Sequence, residues 1–301
     1  MKVGVLRFSY SGFRGFAESL ATSGVYDANV GDNVQSLAVR RLLIDLGVAP
    51  ADIVPVDRDT LRTYEGPPVR LVMNGCFYRP CFPLPPQISP VFEGFQAKEP
   101  VIAAHRNWFA RHQPIGCRDG VTVAAFHAHG IAAEVTGCLS LTLPQRAVTP
   151  AKRHLKVIFG AGAGAFPWEV LRQIPPRLLA DAEFVYQRKP VHRLPLRDED
   201  QAEAEAMAAD LLHRYAREAT LVVTSLHHAA APCIAMGVPV VLCRRAPDAR
   251  FSFLETLLPI HVRPFDAPID WSPQVPDLTA VRSDLRRRLA RALDLARVPE
   301  T

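Results

Sequence analysis

The sequence predicts an α/β protein built as two Rossmann-like domains facing each other across a cleft. Three observations predict it. Short β-rich apolar runs alternate with helical patterns, which implies parallel sheets. The alternation runs twice, on either side of the proline-bearing basic segment "SLTLPQRAVTPAKR". Finally, 301 residues with 49% hydrophobic content suffice for two ordinary domains, each with a buried core. The boundary is placed so that residues 1–148 form the N-terminal domain and residues 149–301 the C-terminal one, with the last helix packing back on the N-terminal domain.

In the first half "KVGVLRFS" reads as a buried strand, followed by a long polar loop through "YSGFRGFAESLATSGVYDANVGDN". "VQSLAVRRLLIDLGV" has Leu37, Leu42, Leu43 and Leu46 at helical spacing, and Gly47 ends it. "DIVPVD" and "VRLVMNG" read as strands, the proline-rich stretch from Phe77 to Pro90 as irregular, and "PVIAAH" as a further strand. "PIGCRDGVTVAAFHAHGI" reads as strand end, turn and helix, and "AAEVTG" as the next strand. In the second half the expected order is strand "HLKVIFG", a glycine-rich loop, helix "PWEVLRQIP" and strand "AEFVYQ". The long helix "DEDQAEAEAMAADLLHRYAREA", strand "TLVVTS", a helix from about Leu226 to Met236 and strand "VPVVLC" follow. "DLTAVRSDLRRRLARALDLA" closes the series, with Leu278, Val281, Leu285, Leu289 and Leu293 on one stripe.

The chain carries a formal charge of +5 and uses arginine far more than lysine. A basic balance suits an acidic small molecule, a membrane surface or nucleic acid. Nucleic acid is set aside, because no recognised reader motif or interleaved basic and aromatic patch occurs. Arginine suits planar, bidentate capture of carboxylate and phosphate. Cys76, Cys81, Cys117, Cys138, Cys233 and Cys243 show no C-x-x-C spacing and read as reduced core thiols. No apolar run reaches bilayer length, and the opening run is too short for a signal peptide, so a cytoplasmic location is expected. The basic stripe of the last helix offers at most a weak contact with an anionic membrane and reads first as a solvated face over the core. No Asp-x-Asp motif or His/Asp cluster with ligand spacing occurs, so neither metal nor cofactor is expected.

The chemistry concentrates in "VVTSLHHAAAPCIAMGVPVV", residues 222–241. A strand ends in Thr224 and Ser225, and Ser225 suits the N-cap of the next helix. His227 and His228 then fall in the first turn, beside unpaired N–H groups and the positive end of the helix dipole. That place attracts anions and favours the neutral imidazole, which can act as a base. A buried hydrogen-bonding histidine accounts for the same spacing equally well. "GAGAGAF", residues 160–166, follows a strand but fits neither G-x-G-x-x-G nor a P-loop, and reads as a flexible turn.

This segment resembles the C-terminal signature of polysaccharide pyruvyl transferases, in which a strand ending Thr-Ser runs into Arg-Leu-His, small residues and Gly-x-Pro-Val. Counting back from Gly237 puts the family histidine on His228 and leaves Leu226 where the family has arginine. "NVGDNVQSLAVRRLL" resembles the family's Asn-x-Gly-Asp-Asn helix opening. "VMNGCFY" resembles its strand ending in Asn-Gly, with Cys76 in place of tryptophan. "PIGCRDGVTVAAFHAHGIAAEVTGCLSLTL" resembles its Arg-Asp segment and Gly-Cys-Leu strand.

The resemblance implies transfer of a pyruvyl group from phosphoenolpyruvate, a co-substrate, to a saccharide acceptor, free or lipid-linked, forming a ketal on an exopolysaccharide or cell-surface glycan. It implies His228, Arg118 and Asp32 as catalytic residues, with His228 in acid/base work and Arg118 clamping the donor. Ser225, His227 and Arg250 are then donor-binding, and Asn29, Gly31, Asn33 and Asn74 acceptor-binding. The structural alternatives are an Arg118–Asp119 ion pair, a solvated Arg250, and an Asx-turn or helix cap at Asp32 or Asn33. Two rival functions stay open: a GT-B-type glycosyltransferase using a nucleotide sugar on this GT-B-like architecture, and a non-catalytic glycan-binding relative.

Overall fold

The computed structural model describes residues 2–152, 154–162 and 165–295. The chain is a mixed α/β protein with several parallel sheets. Its first part runs through β1 (Val3–Arg7), α1 (Arg14–Ser23), β2 (Tyr26–Ala28), α2 (Val30–Asp45), β3 (Ile53–Asp57) and β4 (Val69–Val72). It continues through β5 (Gly75–Phe77), β6 (Ile88–Val91), β7 (Phe95–Ala97), α3 (Glu99–Ala104), α4 (Arg106–Phe109), β8 (Ile115–Cys117), α5 (Gly120–Ala128) and β9 (Ala133–Val135).

These strands form two four-stranded parallel sheets, β3-β1-β4-β6 and β5-β7-β8-β9. The two are continuous. Only Met73 and Asn74 separate β4 from β5, and only Phe92, Glu93 and Gly94 separate β6 from β7. Met73 N–H donates to Val91 O at 2.8 Å and Gly75 N–H to Gly94 O at 3.2 Å, which carries pairing across the break. Gly94 sits at φ +72°, and a Cβ there would lie 2.1 Å from Asn74 Oδ1, so only glycine fits.

Three expectations are corrected here. The segment expected to be a polar loop contains α1 and β2; only Phe16 is buried on α1, so no apolar stripe announces that helix. Residues 100–104, expected as a strand, lie in α3: Pro100 occupies the first turn, and Val101 and Ile102 are buried. Helix α2 begins at Val30, ahead of the expected start, because the Asn29 side chain accepts from Gly31 N–H at 3.2 Å and caps it.

The second part runs through β10 (Leu155–Phe159), α6 (Pro176–Leu179), β11 (Glu183–Tyr186), β12 (Lys189–Val191), α7 (Asp198–Glu218) and β13 (Leu221–Thr224). It ends with α8 (His227–Ala235), β14 (Val240–Arg244), α9 (Ser252–Glu255), β15 (Ile260–Val262) and α10 (Thr279–Ala292). Its sheet is parallel in the order β11-β10-β13-β14-β15. Residues 168–173 form a 3-10 turn where an α-helix was expected. The glycine-rich loop at 160–166 includes residues 163 and 164, which lie outside the described residues.

One apolar core passes through both parts, joining Leu42 and Leu43 of α2, Leu211 and Tyr215 of α7, Ile234 of α8, and Leu285 and Leu289 of α10. The residues expected to form a linker are partly built in: Leu139–Thr142 make a 3-10 turn with Leu139, Ser140 and Leu141 buried. Arg282 of α10 donates to Leu141 O and Leu143 O at 3.2 Å each, and Arg288 forks onto Glu134 at 2.6 and 2.8 Å. Strand β2 pairs antiparallel with β12. Among the described residues no helix is long and apolar enough to cross a membrane.

Candidate functional site

A cavity of about 230 Å³ opens where strands of both sheets end, the place where α/β sheets bind ligands. The first part contributes Tyr10, Tyr26, Asn29, Asp32, Cys76, Tyr78, Gln96 and Arg118 to its wall; the second contributes Gln187, Arg188, Ser225 to His228, Arg244, Arg250 and Phe251.

The histidine junction is built by three contacts. Thr224 Oγ1 accepts Leu226 N–H at 3.1 Å, and the N-cap of α8 is Leu226 with no side-chain cap bond. The expected cap at Ser225 is therefore displaced by one residue, the turn being closed by Thr224; Ser225 is fully buried and its carbonyl accepts from Arg244 at 2.7 Å. His228 departs from helical geometry at φ −87°, ψ 18°. Its carbonyl instead accepts Gln187 Nε2 at 3.0 Å, while Tyr215 OH donates to Gln187 Oε1 at 3.0 Å. Gly31 meets this turn closely: a Cβ there would lie 2.8 Å from His228 Cβ and 3.1 Å from its Nδ1. Close approach, not positive φ, is thus what Gly31 supplies.

Arg118 Nη1 lies 3.3 Å from His228 Nε2. A guanidinium only donates, so Nε2 accepts and the ring proton sits on Nδ1. Burial, then His227, Arg118 and Arg188, holds the His228 imidazole well below the ordinary histidine range. Burial, then Arg118, Arg250 and Arg244, does the same for His227. Both rings are neutral at physiological pH.

Four guanidinium groups surround them. Arg118 is 6% exposed, and its Nε has no partner among the described residues. It makes no pair with Asp119, whose carboxylate caps α5 by accepting Thr122 N–H at 2.8 Å and Thr122 Oγ1 at 2.9 Å. Arg244 stacks on Phe251 at 4.4 Å and pairs with Asp248 at 2.6 Å. Arg250 lines the cavity but also holds Asp248, at 2.9 Å through Nε and 2.5 Å through Nη2. Arg188 completes the set. Cys138, His227 and His228 bring ligand atoms within 4.8 Å of one another, a set that could hold a soft divalent cation. The surrounding guanidinium charge opposes a cation there and favours an anion.

The opposite wall centres on Asp32. Its carboxylate accepts Asn29 Nδ2 at 2.7 Å and Tyr10 OH at 3.2 Å, and Arg58 Nη1 approaches to 3.5 Å. Arg58 is 1% exposed, forks onto Asp59 at 3.0 and 3.2 Å, and lies over the Phe8 ring at 4.8 Å. Asn29 and Asp32 therefore line the cavity, whereas Asn33 is buried outside its lining. Asn74 is also outside it: it sits in the break of the sheet, where Oδ1 accepts Leu139 N–H at 3.2 Å. Asn74 thus lies just beyond the end of β4, as the sequence reading put it, but is buried against the following turn rather than facing the cavity.

A family model described as polysaccharide pyruvyl transferase matches residues 77–247, the stretch that carries Arg118, Arg188, both histidines and Arg244. The chain belongs to the polysaccharide pyruvyl transferase family. No curated protein matches it. Among solved structures it is similar to an uncharacterised protein from Klebsiella pneumoniae, at 10% identity over 84% of this chain and 88% of that one, with a TM-score of 0.44. It is also similar to a candidate UDP-N-acetylglucosamine 2-epimerase from Listeria monocytogenes, at 13% identity over 98% and 88%, with a TM-score of 0.37. Both scores are low, and neither likeness bears on function. Within this pyruvyl transferase family member, sequence reading missed Tyr10, Tyr26, Arg58, Tyr78, Gln187, Arg188 and Arg244. Arg188 and Arg244 had a usable signal, since each lies at or just beyond the carboxyl end of a strand.

Proposed function

We propose that the chain transfers a pyruvyl group from phosphoenolpyruvate to two hydroxyls of a sugar, forming a cyclic ketal on an exopolysaccharide or cell-surface glycan in the cytoplasm. One observation carries this reading: a cavity with four guanidinium groups and neutral imidazoles on one side and a buried, oriented carboxylate on the other. In this reading residues 1–148 and 149–301 act as two Rossmann-like units in a GT-B-like arrangement, the first presenting the acceptor and the second the donor. Neither metal nor cofactor takes part.

The donor carries a carboxylate and a phosphate on adjacent positions, and charge-assisted donors from Arg118, Arg188 and Arg244 and the first-turn amides of α8 match that charge. His227 and Arg250 flank the same end. Burial and then the neighbouring cations keep His228 neutral; the seated anion offsets the cationic part, and the ring then takes a proton and passes it to the donor's methylene carbon. The central carbon becomes electrophilic. One sugar hydroxyl adds to it and gives its proton to Asp32. The second hydroxyl adds as the C–O bond to phosphate breaks and gives its proton to the His228 ring, neutral again after protonating the methylene, while inorganic phosphate leaves with the bridging oxygen. The guanidinium groups stabilise the charge of the departing phosphate.

The test is incubation with phosphoenolpyruvate and a panel of glycans. The expected result is release of inorganic phosphate equal to the acid-labile pyruvate gained by the glycan. Turnover of a nucleotide sugar with no response to phosphoenolpyruvate would replace this reading with a glycosyltransferase. Leu226 in the family's arginine position favours a second reading, a glycan-binding relative without donor affinity; glycan binding with no phosphoenolpyruvate uptake would establish it.

A further inference from the structure

We infer that Arg188 anchors the phosphate of the donor in this chain, and that Gly160 is a glycine so that Arg188 can reach it. The inference rests on the donor reading above only for the identity of the phosphate's carrier.

Three independent features of the fold converge on Arg188. The first is a pinned backbone. Gln187 N–H donates to Phe159 O at 2.9 Å, and the Gln187 side chain is held by His228 O and Tyr215 OH, so the residue after it starts between the ends of β10 and α8. The second is space cleared for its head group. A Cβ on Gly160 would lie 2.9 Å from Arg188 Nε, 3.6 Å from its Nη2 and 3.3 Å from Leu226 Cδ2. Gly160 is outside the left-handed region, so its torsions admit any residue. Room for the guanidinium is what requires glycine.

The third feature is an uncommitted charge. Among the described residues no hydrogen bond or ion pair engages the Arg188 guanidinium, and its Nε is buried without a partner. The other cations around the cavity are partly taken: Arg244 and Arg250 share Asp248, Arg58 is held by Asp59 and Asp32, and Arg118 leans on His228. Arg188 therefore brings free donors and a full charge to the side of the cavity where Leu226 supplies neither. The first-turn amides of α8 begin next to that leucine, at His227, the leucine's own N–H being held by Thr224. A phosphate dianion placed there meets a planar fork and a helix terminus together.

The test is calorimetric titration of the full chain with inorganic phosphate, repeated with phosphoenolpyruvate. Arg188→Leu is expected to lose at least about tenfold in phosphate affinity, with Arg188→Lys recovering part of it. Gly160→Ala is expected to weaken phosphate several-fold alone and to add nothing in the Arg188→Leu background. The donor KM should rise more than kcat falls, and the ligand-free melting temperature should match wild type. Unchanged phosphate affinity in Arg188→Leu, independent losses in the double variant, or no phosphate binding by wild type would each overturn the inference. A wild-type chain that binds phosphate through Arg188 but ignores phosphoenolpyruvate would remove the donor reading and leave the anchor in place.

Discussion

At the residue scale His228 holds the reaction together in this reading, and it is the first residue to vary. His228→Asn should lower turnover by about 100-fold or more while the fold is kept, as circular dichroism and melting temperature would show. Retained turnover would take the ring out of the mechanism. Burial and neighbouring guanidinium groups depress the pKa of both rings. Histidine-selective NMR should therefore show two signals, absent from the respective His227 and His228 variants, that stay neutral well below pH 6.5. A depressed histidine contributes stability that is present above the unfolded pKa and lost as pH falls, so the ligand-free chain should weaken below about pH 6.5. Gly31→Ala probes the same ring from the other side. Its Cβ, 2.8 Å from His228 Cβ, should cut activity while leaving phosphate binding at Arg188 nearly intact. That His228, Arg118 and Asp32 would line one cavity was legible because residue type, a place at the end of a strand or the start of a helix, and family resemblance agreed. Arg58 was not: its role comes from burial against Phe8 and two aspartates, which no local pattern encodes.

At the scale of elements, the break between the two N-terminal sheets has its own ionisable group. Glu93 is 6% exposed, one carboxylate oxygen has no partner among the described residues, and burial raises its pKa to about 7. Arg288 opposes that rise, while Glu134 and Asp284 add to it. Because the folded value lies above the ordinary glutamate value of 4.5, the folded state holds a proton that the unfolded chain gives up. The associated stability is full below that value and is lost as pH rises through about 7. Glu93→Gln should abolish this loss, leaving the variant about 1–3 kcal/mol better than wild type at pH 8 relative to pH 5 in denaturant melts. Equal pH slopes would contradict it. Apolar residues at helical spacing made α2 and α10 readable in the sequence, and α7 was read as one long helix. Helix α3 was misread because four apolar residues in a row suit a strand or a short buried helix alike, and only tertiary packing decides.

At the scale of the whole molecule, the shared core sets the unfolding behaviour. Leucines of α2, α7 and α10 and Ile234 of α8 belong to one apolar cluster, so neither half can unfold without exposing the other's buried surface. Calorimetry should show one transition, and residues 149–301 expressed alone should fail to give a cooperative melt. Two resolved transitions would count against this. A donor that binds only the folded chain should add about 2.7 kcal/mol at a hundredfold excess over Kd, with the gain shrinking at high salt because the site is cationic. The repeated strand–helix alternation was enough to read α/β class and parallel sheets. How the halves meet was not readable, since that depends on contacts between residues far apart in sequence.

The three-residue ribbon that pairs Ala28, Asp27 and Tyr26 with Lys189, Pro190 and Val191 rivets the cavity at its rim. Tyr26 belongs to it and Asn29 follows it on one strand, and Gln187 and Arg188 precede it on the other, all four in the wall. Backbone pairing thus sets the gap between the two sides before any substrate arrives. Traffic in and out must then pass by the open side rather than by the halves swinging apart. X-ray scattering in solution should give the same radius of gyration with and without ligand, and a marked contraction would show that the rivet yields.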